Sequence, residues 1–160
     1  MTEDAVVERS QNAASQAGAA APVIVVGLDG SPTSWDAFSW AAGEAVRING
    51  KLIAVHVMPW TEPAAAFAVP YDYAGLENTR QEIARDLKAE AAHRARDLDV
   101  SVSFVSEYGD VTHALSDIAR TVHANLVVVG RSTKMLHHLA GSLSHRLTCR
   151  KDAPVVVVVP

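Results

Sequence analysis

Short apolar runs alternate with helix-like segments along most of this chain, and this alternation constrains the fold more than any other feature. Short runs rich in Val, Ile and Leu are typical of strands buried on both faces of a parallel sheet. The third run mixes apolar and polar residues, which is typical of a strand near a sheet edge. The five predicted strands are residues 23–26, 52–57, 100–106, 126–129 and 155–159.

Helical segments separate the predicted strands. Ser31-Pro32 combines an N-cap residue with proline at the first helical position, and Asn49-Gly50 is a helix stop. A second helix is predicted over residues 77–98, a third is capped by Asp110, and a fourth begins near Gly141-Ser142. The predicted buried stripes include Val46 in the first helix and Ile83 in the second.

Strands and helices that alternate in this way predict an α/β fold with a parallel sheet covered on both faces. The pattern gives five strands, four helices and one domain over residues 22–160. The segment 1–21 carries a Ser/Gln/Ala/Gly run without apolar periodicity, so we expect a disordered tail there.

Charge and hydropathy exclude several functional classes. The net charge of -4 and the pI near 5.9 argue against a nucleic-acid partner. We expect a soluble cytoplasmic protein without a membrane partner, because no run is long and apolar enough to span a bilayer and the first residues lack signal-peptide features. Cys149 is the only cysteine, which excludes an internal disulfide, and its place in a predicted amphipathic helix favours a buried or half-buried thiol.

The segment 58–75 has three prolines, four aromatic residues and no periodicity, which predicts a long loop. Two interpretations remain open for it. It is either a plain connection whose aromatic side chains pack locally, or a lid over a ligand.

Two predicted strand-to-helix loops carry residues suited to ligand binding. In an open parallel sheet, ligands bind beyond the carboxyl ends of the strands, where the strand order reverses. Asp29, after the first strand, suits either hydrogen bonds from a base or ribose or a cap for the first helix. Gly141-Ser142, at the predicted start of the last helix, suits either an anion or an ordinary N-cap.

Five segments, taken together and in order, resemble the universal stress protein family. They are residues 25–31 (VVGLDGS), His56-Val57, residues 125–131 (NLVVVGR), residues 140–144 (AGSLS) and residues 154–158 (PVVVV). The resemblance covers residues 22–160. It implies a Rossmann-like three-layer fold, of the adenine nucleotide alpha hydrolase-like type, with strand order 3-2-1-4-5.

The resemblance also implies a ligand, which is ATP or a related adenine nucleotide. The residues that match the family's adenine site are Asp29 and Val57. The ribose and phosphates are expected on the loop that carries Gly130, Arg131, Thr133, Lys134, Gly141 and Ser142. Mg²⁺ accompanying the nucleotide is the one metal that the resemblance allows.

The phosphate loop departs from the family's ATP-binding pattern. Thr133 stands where that pattern has its middle glycine, and with seven residues between Thr133 and Gly141 the loop is two residues shorter. A β-branched residue does not easily take a positive φ, so the loop must follow a different path. Arg131 and Lys134 supply charge that can offset this change.

Three functional classes follow. The first is a nucleotide-binding regulatory protein of the stress response, and the second is a dimeric interaction module that binds no nucleotide. The third, an enzyme, is disfavoured because the sequence has no nucleophile paired with a base and no Walker-type lysine motif, although weak ATPase activity is compatible with it. The resemblance also implies a homodimer. In the strand order that it implies, the five valines Val155–Val159 form an edge strand, which two copies would cover by pairing antiparallel.

Overall fold

The computed structural model describes residues 20–58, 73–131, 143–150 and 154–160. The strands are β1 (Val23–Gly27), β2 (Lys51–Met58), β3 (Val102–Tyr108), β4 (Leu126–Gly130) and β5 (Val155–Val159). The helices are α1 (Pro32–Arg47), α2 (Tyr73–Asp97), α3 (Val111–Thr121) and α4 (Leu143–Thr148). Residues 1–19 of the predicted tail lie outside the described residues.

The strands form one parallel sheet in the order β3-β2-β1-β4-β5. β1 lies at its centre, where Val25 is in register with Ile53 of β2 and with Val127 of β4. The prediction of an α/β three-layer fold with strand order 3-2-1-4-5 is confirmed. The carboxyl ends of β1 and β4 are therefore neighbours, although the two strands are far apart in sequence.

Two helical layers enclose the sheet. On one face α1 and α2 pack around the fully buried Phe38, together with Leu87 and Ala91. On the other face α3 and α4 contribute Leu115 and Leu147. None of the helices described in the structure combines the length and the apolar character needed to cross a membrane.

The boundaries of α1 follow its sequence signals. The Ser31 hydroxyl accepts the backbone N–H of Ser34 at 3.2 Å, as an N-cap does, and Pro32 follows as the first helical residue. After Arg47 the chain turns through Asn49, whose φ is 51°, and the Gly50 N–H donates to the Ala45 carbonyl at 2.8 Å. These contacts satisfy the last carbonyls of the helix.

The largest differences from the predicted boundaries are at the start of α2 and at both ends of β3. α2 begins at Tyr73 and not at residue 77, and β3 spans Val102–Tyr108 and not 100–106. The Tyr108 hydroxyl donates a hydrogen bond to the Glu77 carboxylate, which joins α2 to the end of β3. Of the predicted loop 58–75, Met58 belongs to β2 and residues 73–75 belong to α2, while residues 59–72 lie outside the described residues.

Two residues of the predicted stripes and the single cysteine are exposed. Val46 lies about 100° around α1 from the buried Ala45, which turns it out of the core. Ile83 is exposed because the buried stripe of α2 begins one turn later, at Leu87. Cys149 follows the end of α4 and is exposed, so the prediction of a buried or half-buried thiol was wrong.

Candidate functional site

A cavity of about 340 Å³ opens at the carboxyl ends of the central strands, where β1 and β4 are neighbours. Its volume lies in the range of about 300–1,000 Å³ that is usual for small-molecule sites. Residues from β1, β2 and β4 form its floor, and the first turns of α1 and α3 together with α4 form its walls. This is the place at which open parallel sheets bind ligands.

Asp29 shapes the turn between β1 and α1. Its Oδ1 accepts both the backbone N–H of Ser31, at 2.9 Å, and the Ser31 hydroxyl, at 2.6 Å. Gly30, with a φ of 84°, allows the chain to turn between them. Ser31, and not Asp29, is the N-cap of α1. Asp29 supports that cap and also lines the cavity.

The buried His56 ties the end of β1 to β2. Its Nδ1 lies 2.9 Å from the Leu28 carbonyl oxygen, and since a carbonyl only accepts, Nδ1 carries the proton and donates. The Leu28 N–H donates to the Val55 carbonyl at 2.8 Å, which extends the pairing of β1 with β2 by one residue. These bonds position the residues that precede Asp29. Val57, next to His56 in β2, lines the cavity.

Gly130 is required by the close approach of two backbone segments. A Cβ at this position would lie 2.8 Å from the Ser34 nitrogen and would overlap the Thr33 carbonyl group. The end of β4 can therefore touch the first turn of α1 only if residue 130 is glycine. Arg131, the next residue, donates its backbone N–H to the Val159 carbonyl at 2.8 Å and lines the rim of the cavity.

Asp110 and Arg146 form the wall on the other face of the sheet. Asp110 caps α3, since its Oδ1 accepts the His113 N–H at 2.9 Å, and its Oδ2 accepts Nη2 of Arg146 at 2.8 Å. The His113 N–H lowers the pKa of the Asp110 carboxyl most strongly, and Arg146 lowers it further. The sequence predicted Asp110 as a cap but not as a cavity residue, and it did not predict Arg146 at all. One feature of the sequence could have indicated Arg146 as a site residue, because it stands four residues, about one turn of the predicted last helix, after Ser142.

The structure brings together four of the eight predicted site residues. Asp29, Val57, Gly130 and Arg131 all line the cavity. The others, Thr133, Lys134, Gly141 and Ser142, lie outside the described residues. Within the described ranges, no group of three or more His, Cys, Asp or Glu side chains is arranged to hold a metal ion.

Comparison with protein families decides the classification. The model of the family described as "Universal stress protein family" matches residues 22–159. The chain belongs to the universal stress protein family. No curated protein matches the chain.

Solved structures of universal stress proteins have the same fold. A member from Burkholderia pseudomallei is 26% identical, covers 86% of this chain and 95% of its own, and has a TM-score of 0.68. A universal stress protein in complex with cAMP is 27% identical, covers 89% and 98%, and has a TM-score of 0.63. The Archaeoglobus fulgidus protein in complex with dAMP is 18% identical, covers 88% and 98%, and its TM-score of 0.61 shows a shared fold.

Proposed function

We propose that this universal stress protein is a cytoplasmic regulatory protein of the stress response that binds ATP or a related adenine nucleotide. The cavity at the carboxyl ends of β1 and β4 carries the proposal, because it brings Asp29, from the loop after β1, together with Gly130 and Arg131 at the end of β4. The family member solved with cAMP, 27% identical over 89% of this chain, supports an adenine nucleotide as the ligand class.

The chemistry of the cavity fits a nucleotide. Leu28, Val57 and Val129 are apolar groups on its wall and would pack against a purine ring. The Asp29 carboxylate would accept hydrogen bonds from the base or the ribose. Close backbone approach at Gly130 and the charge of Arg131 suit the phosphate end of the ligand.

The proposed phosphate site is completed by residues that the family resemblance assigns. These are Thr133, Lys134, Gly141 and Ser142, which lie outside the described residues. Mg²⁺ would enter with a polyphosphate ligand and not as a resident metal.

We infer that the protein binds its ligand without consuming it. Both carboxylates among the described cavity residues already accept hydrogen bonds within the protein. Asp29 accepts from Ser31, and Asp110 accepts from the His113 N–H and from Arg146. The Ser31 hydroxyl, which lies 2.6 Å from Asp29, is itself engaged as the N-cap of α1, so this pair does not form a free nucleophile with its base. Any ATPase activity should be weak, and colorimetric phosphate release at saturating ATP would measure it.

The test is to identify what the purified protein carries. The protein is denatured, the supernatant is analysed by mass spectrometry, and the wild type is titrated calorimetrically with ATP, AMP and cAMP. Gly141→Asp should abolish binding by placing a negative charge in the phosphate loop. Gly43→Asp is the matched control, because a Cβ at Gly43 in α1 meets nothing within 4 Å. A wild type that releases no adenine nucleotide and binds none in titration would refute the proposal.

The second candidate is a dimeric interaction module of the same fold that binds no nucleotide. The observation in its favour is the edge strand β5, on which Val155 is 63% exposed and Val158 is 44% exposed. Antiparallel pairing of two copies through Val155–Val159 would cover this edge. Sedimentation should show a dimer at micromolar concentration that Val158→Lys dissociates, and a monomeric wild type would exclude the module.

A further inference from the structure

Arg146 lies on the wall of the cavity with donors to spare. Its Nη2 donates to Oδ2 of Asp110 at 2.8 Å, and the side chain is half exposed. A guanidinium carries five N–H donors in a fixed plane. Among the described residues, Asp110 is the only hydrogen-bond or ion-pair partner of Arg146. The remaining donors are therefore available to a ligand in the cavity, whose wall includes this side chain.

Asp110 holds Arg146 in place. The carboxylate is itself fixed, because its other oxygen, Oδ1, caps α3 by accepting the His113 N–H at 2.9 Å. A second contact joins the region of α4 to the first turn of α3, since Nη1 of Arg150, just after α4, lies 3.4 Å from Nδ1 of His113. A guanidinium that is already oriented loses less rotamer entropy when it binds a ligand.

The charge balance of the wall indicates what Arg146 would bind. Four charged side chains from the described residues line the cavity: the acids Asp29 and Asp110, and the arginines Arg131 and Arg146. Their formal charges cancel. The set as a whole therefore favours neither sign of charge, and the preference comes from single groups: a phosphate, unlike a neutral nucleoside, can accept the charged N–H donors of Arg146 that Asp110 leaves unused. The Asp110 carboxylate orients Arg146 and also repels a phosphate beside it.

We infer that Arg146 binds the phosphate of the ligand and makes the cavity selective for a phosphorylated adenosine over the nucleoside. This inference rests on the proposed function and deepens it. Arginine pairs with phosphate through two parallel N–H donors, in charge-assisted bonds.

The test compares AMP with adenosine, which differ only in the phosphate. Calorimetric titration should show that Arg146→Gln weakens AMP binding about tenfold and leaves adenosine binding unchanged. The matched control is Arg120→Gln. Arg120 forms the same kind of pair with Asp117, at 2.8 Å on the exposed side of α3, and it does not line the cavity. This control should leave both affinities unchanged.

A second variant separates a ligand contact from a structural ion pair. Asp110→Asn keeps an N-cap side chain but removes the negative charge that repels a phosphate in the cavity. The ratio of AMP to adenosine affinity should therefore rise in Asp110→Asn and fall in Arg146→Gln. If the pair were only structural, both variants would break it and both would shift the ratio in the same direction.

The outcomes distinguish this inference from the proposed function. If the wild type binds AMP and adenosine but neither variant changes their ratio, or both change it in the same direction, the role of Arg146 is refuted and nucleotide binding stands. If the wild type binds no adenine compound at all, both fall. Circular dichroism melting confirms that each variant is folded, and if Arg146→Gln does not fold, the ratio in Asp110→Asn decides.

Discussion

β1 and β5 are both short apolar strands, yet the fold uses them differently. In β1, Ile24, Val25 and Val26 have no exposed surface, because strands flank β1 on both sides and helices cover both faces. In β5, Val155 is 63% exposed, and among the described strands β5 pairs with β4 alone. Apolar composition therefore identifies a strand, whereas its place in the sheet decides what it does.

The centre of the sheet carries the cavity, whereas none of the strands that the structure describes lies on the outer side of β5. The neighbouring ends of β1 and β4 bring Asp29 and Gly130 to one site. Strand β5 leaves its outer N–H and C=O groups available to another strand. The following predictions test whether substitutions at the centre of the sheet cost more stability than substitutions on the exposed surface.

The largest effect is expected at Gly130, where alanine adds one methyl group, and the same substitution at Gly43 is the comparison. Gly130→Ala should destabilise the protein by about 3 kcal/mol, because its Cβ would overlap the Thr33 carbonyl and lie 2.8 Å from the Ser34 nitrogen. Gly43→Ala should stabilise it by about 0.5–1 kcal/mol, since position 43 is an exposed helix interior with open space around it. Urea unfolding of both variants gives the two values. Destabilisation by both would show that the surface of α1 is less tolerant than the structure indicates.

A smaller effect is expected from replacing a valine with threonine at the centre and at the edge. Val128→Thr should cost about 1–3 kcal/mol, because Val128 of β4 has no exposed surface and the new hydroxyl would be buried. Val155→Thr should change the free energy of unfolding by less than about 0.5 kcal/mol. Denaturant titrations at low protein concentration measure both. A cost at Val155 that grows with protein concentration would show that a second copy covers β5.

The smallest effect concerns pH at the rim of the cavity. The His113 N–H and Arg146 lower the pKa of Asp110, so its contribution to stability is present above its unfolded pKa, near pH 4, and is lost as pH falls through the lower folded value. Wild type should therefore exceed Asp110→Asn in unfolding free energy by under about 1 kcal/mol at pH 6, and the gap should close near pH 2. A gap that does not depend on pH would contradict the ionic origin of this contribution.

The sequence predicted the fold, and four of its candidate site residues, Asp29, Val57, Gly130 and Arg131, line the cavity. Apolar runs and helix signals such as Ser31-Pro32 located the strands and helices that the structure describes, because these signals act within a few residues. The predictions were least complete where contacts between residues far apart in sequence determine the structure. Tyr108 contacts Glu77 of α2 across 31 residues of sequence, and Arg146 reaches the cavity only because α4 lies beside the N-terminus of α3.

By itself, the sequence determined the alternation of strands and helices, the N-cap at Ser31 and the short run of residues from which Asp29 and Gly130 come. These are local properties, set by the spacing of apolar side chains and by backbone preferences. Only the tertiary structure decided that Gly130 touches the first turn of α1 and that Arg146 pairs with Asp110 on the cavity wall. Such contacts join residues that no local signal links, and they exist only once β1 and β4 pair at the centre of the sheet.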